Sequence, residues 1–257
     1  MDVWKQKEFL GLQTKTLSEN NGLAIAIKAT LAAAPVRKQG YRLDRSSTEF
    51  IHESEQERRL EAPLMTRWCR AGMWPIPGGW ERLVAFQVPL FSEQSKQGWG
   101  YIDLLGVNAA GLPVVVELKK AAEASVDGKT KSTETPLRMI LEAAAYAVAL
   151  RKNWDTFRPE WIARLQLLDV ATTVIERVPT TLDLVPLVAA APASFWIDWL
   201  PVTEKGRSVS RETWLYFQSL LDELASKNLP VSFVSISGHD GRIEGLAVQP
   251  LQFPRFI

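Results

Sequence analysis

The chain has 257 residues, 46% of them apolar and 23% charged, which is room for one large folded α/β unit or such a unit with a helical extension. Its 30 basic and 29 acidic side chains leave a formal charge of +1, so bulk charge does not mark a nucleic-acid binder. Any phosphate-binding surface has to come from local clustering. The single cysteine, Cys69, excludes an internal disulfide and a multi-cysteine zinc site.

The first residues, Met1 to Lys5, show no basic segment leading into an apolar core. The apolar run from Gly22 to Val36 is interrupted by Lys28 and Pro35. No signal peptide and no membrane segment are therefore expected, and a cytoplasmic location is the default.

Residues 1–52 read as an N-terminal extension of mixed character. In it Leu23 to Ala34 favours helix, and Gln39 to Thr48 is polar enough for a loop or an exposed strand. From Ser54 onward the pattern sharpens. Leu60, Leu64 and Trp68 recur at helical spacing with Glu57 and Glu61 on the same stripe. Pro63 leaves two readings: a helix that begins near Glu61, or one that kinks at the proline.

Gly72 to Trp80, with two prolines and a glycine pair, is a turn-rich connection. Leu83 to Leu90 reads as a strand. Tyr101 to Val107 and Leu112 to Lys119 are two more, joined by the turn Asn108-Ala109-Ala110-Gly111. A polar loop over Ala121 to Thr135 leads to Pro136, a favourable first-turn residue for a helix running to about Arg151.

Leu182 to Val188 and Phe195 to Leu200 read as strands, the first confined to a sheet edge by Pro186. Arg211 to Lys227 is an amphipathic helix with Trp214, Phe217, Leu220, Leu221 and Leu224 on one face. Val231 to Ser237 and Arg242 to Pro250 complete the strands. Alternating strands and helices without a linker predict one sandwiched α/β domain over residues 53–257.

The informative residues lie on two successive strands, Gly100-Tyr101-Ile102-Asp103-Leu104-Leu105 and Val114-Val115-Val116-Glu117-Leu118-Lys119. A hairpin centred on Ala110 pairs residues whose numbers sum to 220. Asp103 then faces Glu117, and Tyr101 faces Lys119. Facing residues of an antiparallel pair project to the same side, and alternation puts Glu117 and Lys119 on that side together. A loop longer or shorter by one residue would destroy the arrangement. The flanks are apolar on both faces, where charges are costly unless paired or bound to a metal. Two carboxylates so placed suit Mg2+ or Mn2+. A self-neutralising buried ion pair with Lys119 is the alternative that spacing alone leaves open.

Asp103, thirteen residues, then Glu117-Leu118-Lys119 resembles the D…(D/E)-x-K signature of the PD-(D/E)XK nuclease superfamily. The wording Gly-Tyr-Ile-Asp-Leu-Leu-Gly followed by Val-Val-Val-Glu-Leu-Lys-Lys is similar to the nuclease domain of the archaeal and actinobacterial mismatch endonucleases. The resemblance covers about residues 53–151. It departs from the pattern in having no proline before Asp103.

The resemblance implies a restriction-endonuclease-like fold, a central mixed sheet flanked by helices. It also implies phosphodiester hydrolysis with Mg2+ or Mn2+ held by Asp103, Glu117 and the Leu118 carbonyl, and Lys119 positioning the attacking water. Family members often carry (Q/E)-x-x-x-Y on the following helix, where this chain has Glu142 and Tyr146, with Arg138 a turn earlier. They also use an acid from an upstream helix, for which Glu57 fits best and Glu61 is the runner-up. DNA is the implied partner, RNA stays open, and a homodimer is compatible with the sequence.

Lys129 and Lys131, with Lys205, Arg207 and Arg211, are candidate phosphate contacts or simply solvated loop charges. His52 and His239 have no metal-ligand spacing to Cys69, and no phosphate-cradling glycine motif occurs. The ten tryptophans are read chiefly as core, with base stacking as the alternative. The rival to an enzyme is a scaffold of the same fold that binds nucleic acid or a protein with its acidic patch inert.

Overall fold

A computed structural model describes residues 21–44, 63–65, 67–68, 80–90, 99–119, 136–197, 211–237 and 246–251. Its centre is a six-stranded mixed sheet in which the strands lie side by side in chain order. They are β1 (Trp80–Pro89), β2 (Tyr101–Asn108), β3 (Pro113–Leu118), β4 (Leu187–Pro192), β5 (Val231–Ser237) and β6 (Ala247–Leu251). The pairs β1–β2, β2–β3 and β5–β6 are antiparallel, while β3–β4 and β4–β5 are parallel. Helices α1 (Gly22–Ala33), α2 (Pro136–Lys152), α3 (Trp154–Leu167), α4 (Thr172–Ile175), α5 (Ala193–Ile197) and α6 (Arg211–Ser226) accompany it. The chain is therefore α/β, with a mixed sheet flanked by helices.

Both faces of the sheet are dry. Val115, Leu187, Ala189, Ala191 and Phe233 belong to a large apolar cluster with α1, α2, α3 and α6. Val114, Val116, Leu118, Val188, Ala190, Val234 and Ile236 belong to a second cluster with Leu64, Met65 and Trp68. Pro63, Leu64, Met65, Arg67 and Trp68 are helical, so Pro63 is part of the upstream helix, whose start lies outside the described residues. The centre of α2 is almost all alanine, and small side chains let it lie close on β3 and β4.

Two readings of the sequence need correction. Leu182 to Val188 is not an edge strand: β4 begins at Leu187 and lies between β3 and β5. Pro186 is tolerated because its neighbours Val185 and Leu187 donate to Asn228 and Pro230, and its own carbonyl accepts from Val115. Phe195 to Leu200 is not a strand in its described part, which forms α5. Phe195 and Trp196 are consecutive and both buried, which a half-buried strand does not allow. The Trp196 indole N–H donates to the carbonyls of Ala191 and Val234, folding the helix over the ends of β4 and β5.

Helix α3 follows α2 directly and buries Trp154, Phe157, Trp161 and Leu165. Trp68, Trp99, Trp154, Trp161 and Trp196 are all core residues, so for these five the packing reading holds. Buried Asn153 ties the N-terminal segment to this layer. It accepts from the Arg37 amide at 2.7 Å and donates to Pro35 and Ala149 at 2.9 and 2.8 Å. Among the described residues no helix is long and apolar enough to cross a membrane.

Candidate active site

The β2–β3 hairpin decides what the site can be, because register decides which side chains meet. Its turn is locked locally: the Asn108 side-chain carbonyl accepts from the amides of Ala110 and Leu112, both at 3.0 Å. Gly111 closes the turn at φ 73°, where an L side chain is strained. A Cβ there would also lie 2.6 Å from the Val174 carbonyl oxygen, so α4 grips the turn from outside. The pairs Leu104–Val116, Leu105–Val115, Gly106–Val114 and Val107–Pro113 result, all on the expected sum of 220. Continued by one residue, that register sets Asp103 across from Glu117. Asp103 Oδ2 accepts from the Leu118 amide at 2.8 Å.

Glu117 and Lys119 share the face covered by α2, and this helix completes the cluster. Lys119 Nζ lies 2.6 Å from Glu117 Oε1 and 2.8 Å from Glu142 Oε2. Arg138, one turn earlier on α2, holds the other oxygen of Glu142 at 2.9 Å. Lys119, Glu117 and Glu142 are all buried, at 6, 3 and 7% exposure. The second Glu117 oxygen, Oε2, is buried with no hydrogen-bond partner among the described residues.

The charges are unequally satisfied. Burial, then repulsion from Asp103 and Glu142, pushes the Glu117 carboxyl well above the usual carboxylate range, and Lys119 offsets only part of this. For Glu142, burial is outweighed by Lys119 and Arg138, so its carboxyl is held below the ordinary value. Burial works against charge on Lys119, but Glu117, Glu142 and Asp103 around it hold the ammonium well above the ordinary lysine value. It is a permanent cation and not a base. Tyr146, the next turn along α2, has a phenol pushed up by burial and by Glu117, Asp103 and Glu142.

Asp103, Glu117, Lys119, Glu142, Tyr146 and Arg138 are thus brought into one neighbourhood. Glu57, Glu61, Lys129, Lys131, Lys205 and Arg207 lie outside the described residues, as does the side chain of Arg211. Among the described residues no group of three or more His, Cys, Asp or Glu side chains could by itself hold a metal ion.

Comparisons with family models, with curated proteins and with solved structures return no match.

Sequence reasoning passed over Gln87. It is a buried residue at φ 50° inside β1, between Phe86 and Val88, whose partners are Leu104 and Ile102. It therefore stands across from Asp103. Phe86 packs into one apolar cluster and Val88 into the other, so the alternation of β1 breaks at Gln87. A left-handed backbone in a non-glycine strand residue costs about 1–2 kcal/mol, and such strain gathers at functional sites. The available signal was Gln87 itself, a lone amide in the apolar run Leu83 to Leu90.

Proposed function

We propose that this chain is a divalent-metal-dependent endonuclease on a restriction-endonuclease-like fold, hydrolysing phosphodiester bonds in DNA. One observation carries the reading. Glu117 holds a buried carboxyl oxygen with no hydrogen-bond partner among the described residues, beside a second carboxylate, Asp103, and a lysine that stays cationic. A structural ion pair gains nothing from an orphaned anionic oxygen, whereas a site awaiting a cation requires one.

The donor set fits a hard cation. Asp103, Glu117 and the Leu118 carbonyl oxygen would hold Mg2+ or Mn2+, with water or substrate oxygens filling the remaining positions. When bound, such an ion supplies Lewis-acid stabilisation and a more acidic water. The protein contributes position and charge. Lys119 places a fixed positive charge where a phosphorane would gather negative charge, and the Glu142–Arg138 pair holds the ammonium in that place. The Leu118 amide fixes the direction of Asp103. Glu57, with Glu61 as the second choice, would add an upstream acid, and Lys129 and Lys131 would contact phosphates.

The decisive experiment incubates the purified chain with single-stranded, duplex and branched DNA, and with RNA, in Mg2+ or Mn2+. Cleavage that disappears in Asp103→Ala and Glu117→Ala is the expected result. If the wild type cuts none of these substrates, or Glu117→Ala cuts equally well, the inert-scaffold reading replaces the enzyme.

A further inference from the structure

The β1–β2 pair departs from regular sheet at one cross-strand pair, Gln87 and Asp103. On β2, Leu104 belongs to the apolar cluster on one side of the sheet and Ile102 to the cluster on the other, although residues two apart on a regular strand share a side. Their partners on β1, Phe86 and Val88, are divided in the same way. Both strands therefore change sides together, and the residue that turns is Gln87, buried at φ 50°.

The change of side coincides with the end of pairing to β3. Asn108 and Leu112 form a hydrogen-bonded pair, since the Asn108 amide donates to the Leu112 carbonyl. Every second pair along the hairpin repeats it, so a regular ladder would aim the Leu118 amide at the Ile102 carbonyl. Backbone partners stop instead at Leu104–Val116, and the Leu118 amide donates to Asp103 Oδ2 at 2.8 Å. Strands β1 and β2 stay together beyond this point, through Val88–Ile102 and Pro89–Tyr101. They leave β3 as one limb, hinged at the Gln87–Asp103 pair, and a carboxylate takes the place of a main-chain acceptor. Irregularities of this kind beside active sites end pairing or re-aim a side chain.

We infer that Gln87 is a positioning residue of the site and acts through its backbone. Its left-handed conformation swings the β1–β2 limb off β3, which releases the Leu118 amide to hold Asp103 where Asp103 and Glu117 can share one cation. This inference rests on the nuclease reading and adds the residue that sets the direction of its aspartate. The strain at Gln87 then has a use. With an extended backbone there, β2 would stay on β3, the Leu118 amide would return to the Ile102 carbonyl, and Asp103 would lose the donor that orients it.

The test compares Gln87→Gly with Gln87→Val in the full chain. Glycine accepts this φ without steric cost, whereas a β-branched side chain resists it and favours extended strand. Packing and backbone conformation therefore predict opposite orders of damage, because valine fills more of the buried space than glycine does. The readouts are Mn2+ affinity by calorimetry and, in metal-free 15N-leucine-labelled protein, the amide resonance of Leu118, which reports its acceptor. Gln87→Gly should keep the Leu118 resonance in place and hold Mn2+ affinity within about threefold of the wild type. Gln87→Val should move the resonance toward its position in Asp103→Ala and bind Mn2+ roughly 10- to 100-fold more weakly, the usual loss when a group that orients a metal ligand is removed. Gln87→Gly decides alone if the valine chain does not fold. A displaced Leu118 resonance or a tenfold loss of Mn2+ affinity in Gln87→Gly, or wild-type Mn2+ affinity in Gln87→Val, overturns the inference and leaves the nuclease reading standing. A wild type that neither binds Mn2+ nor cuts removes both.

Discussion

Replacing Glu117 by glutamine should make the metal-free protein more stable. The carboxylate is 3% exposed, and its Oε2 is buried without a donor. Glutamine carries no charge to be repelled by Asp103 and Glu142, and it puts an N–H2 donor beside these carboxylates while its carbonyl can still accept from Lys119. Lys119 also keeps Glu142. Relief of one unsatisfied buried group is worth about 1–3 kcal/mol. For a chain of this length that is roughly 2–10 °C in melting temperature.

The gain depends on pH. Near the ordinary glutamate value of 4.5 and below, Glu117 is neutral in both folded and unfolded chains and its full contribution to stability is present. As pH rises through the elevated folded-state value, the folded protein has to release a proton into a dry site, and stability is lost. The advantage of the glutamine variant should therefore be small at pH 5 and largest at pH 8. The assay is thermal unfolding in EDTA across pH 5–9, repeated at pH 8 with Mg2+. Mg2+ should raise the wild-type midpoint and leave that of the variant unchanged. A variant that melts below the wild type at pH 8 in EDTA, or a pH-independent offset, refutes the reasoning.

Two further substitutions probe the frame. Gly111→Ala forces a Cβ onto the Val174 carbonyl at positive φ, and should lower unfolding free energy in urea by at least about 2 kcal/mol. A loss under 0.5 kcal/mol would show that the turn does not need the glycine. Asn153→Ala removes three hydrogen bonds, two of them between the N-terminal segment and the α2–α3 junction and one back into α2. It should cost about 2–4 kcal/mol and expose Pro35 to Tyr41 to protease before the sheet unfolds; uniform resistance to cleavage would count against that anchoring role.

The hairpin was legible because its information is local. Asn108 and Gly111 are turn residues whose spacing fixes loop parity, and parity fixes which side chains share a face. Helix α2 was legible for the same reason, since Pro136 marks its start. What stayed hidden depends on partners remote in the chain. Pro186 reads as an edge marker because nothing nearby shows that Val115 uses its carbonyl and that its neighbours bond to Asn228 and Pro230, just ahead of β5. Phe195 and Trp196 read as strand until the Val234 carbonyl is known to lie over the indole. Helix α3 was unassigned although Trp154, Phe157, Trp161 and Leu165 recur at helical spacing, for the exposed Pro159 inside it looks like a breaker. In the candidate site, the pairing of Asp103 with Glu117 follows from arithmetic. The backbone reversal at Gln87 and the matching change of side at Asp103 follow only from coordinates.

Asp103, Glu117, Lys119, Glu142 and Tyr146 all come from one continuous stretch, a hairpin and the helix after it. The remainder of the sheet, β4 to β6, serves that stretch only as a floor with two apolar sides. Over evolutionary time a floor is free to drift through any substitution that keeps it apolar and well filled, whereas the stretch is tied to one register, one turn glycine and a handful of charges. Substitutions on β4 to β6 that keep the floor apolar and filled should therefore be tolerated far better than substitutions on the hairpin and α2.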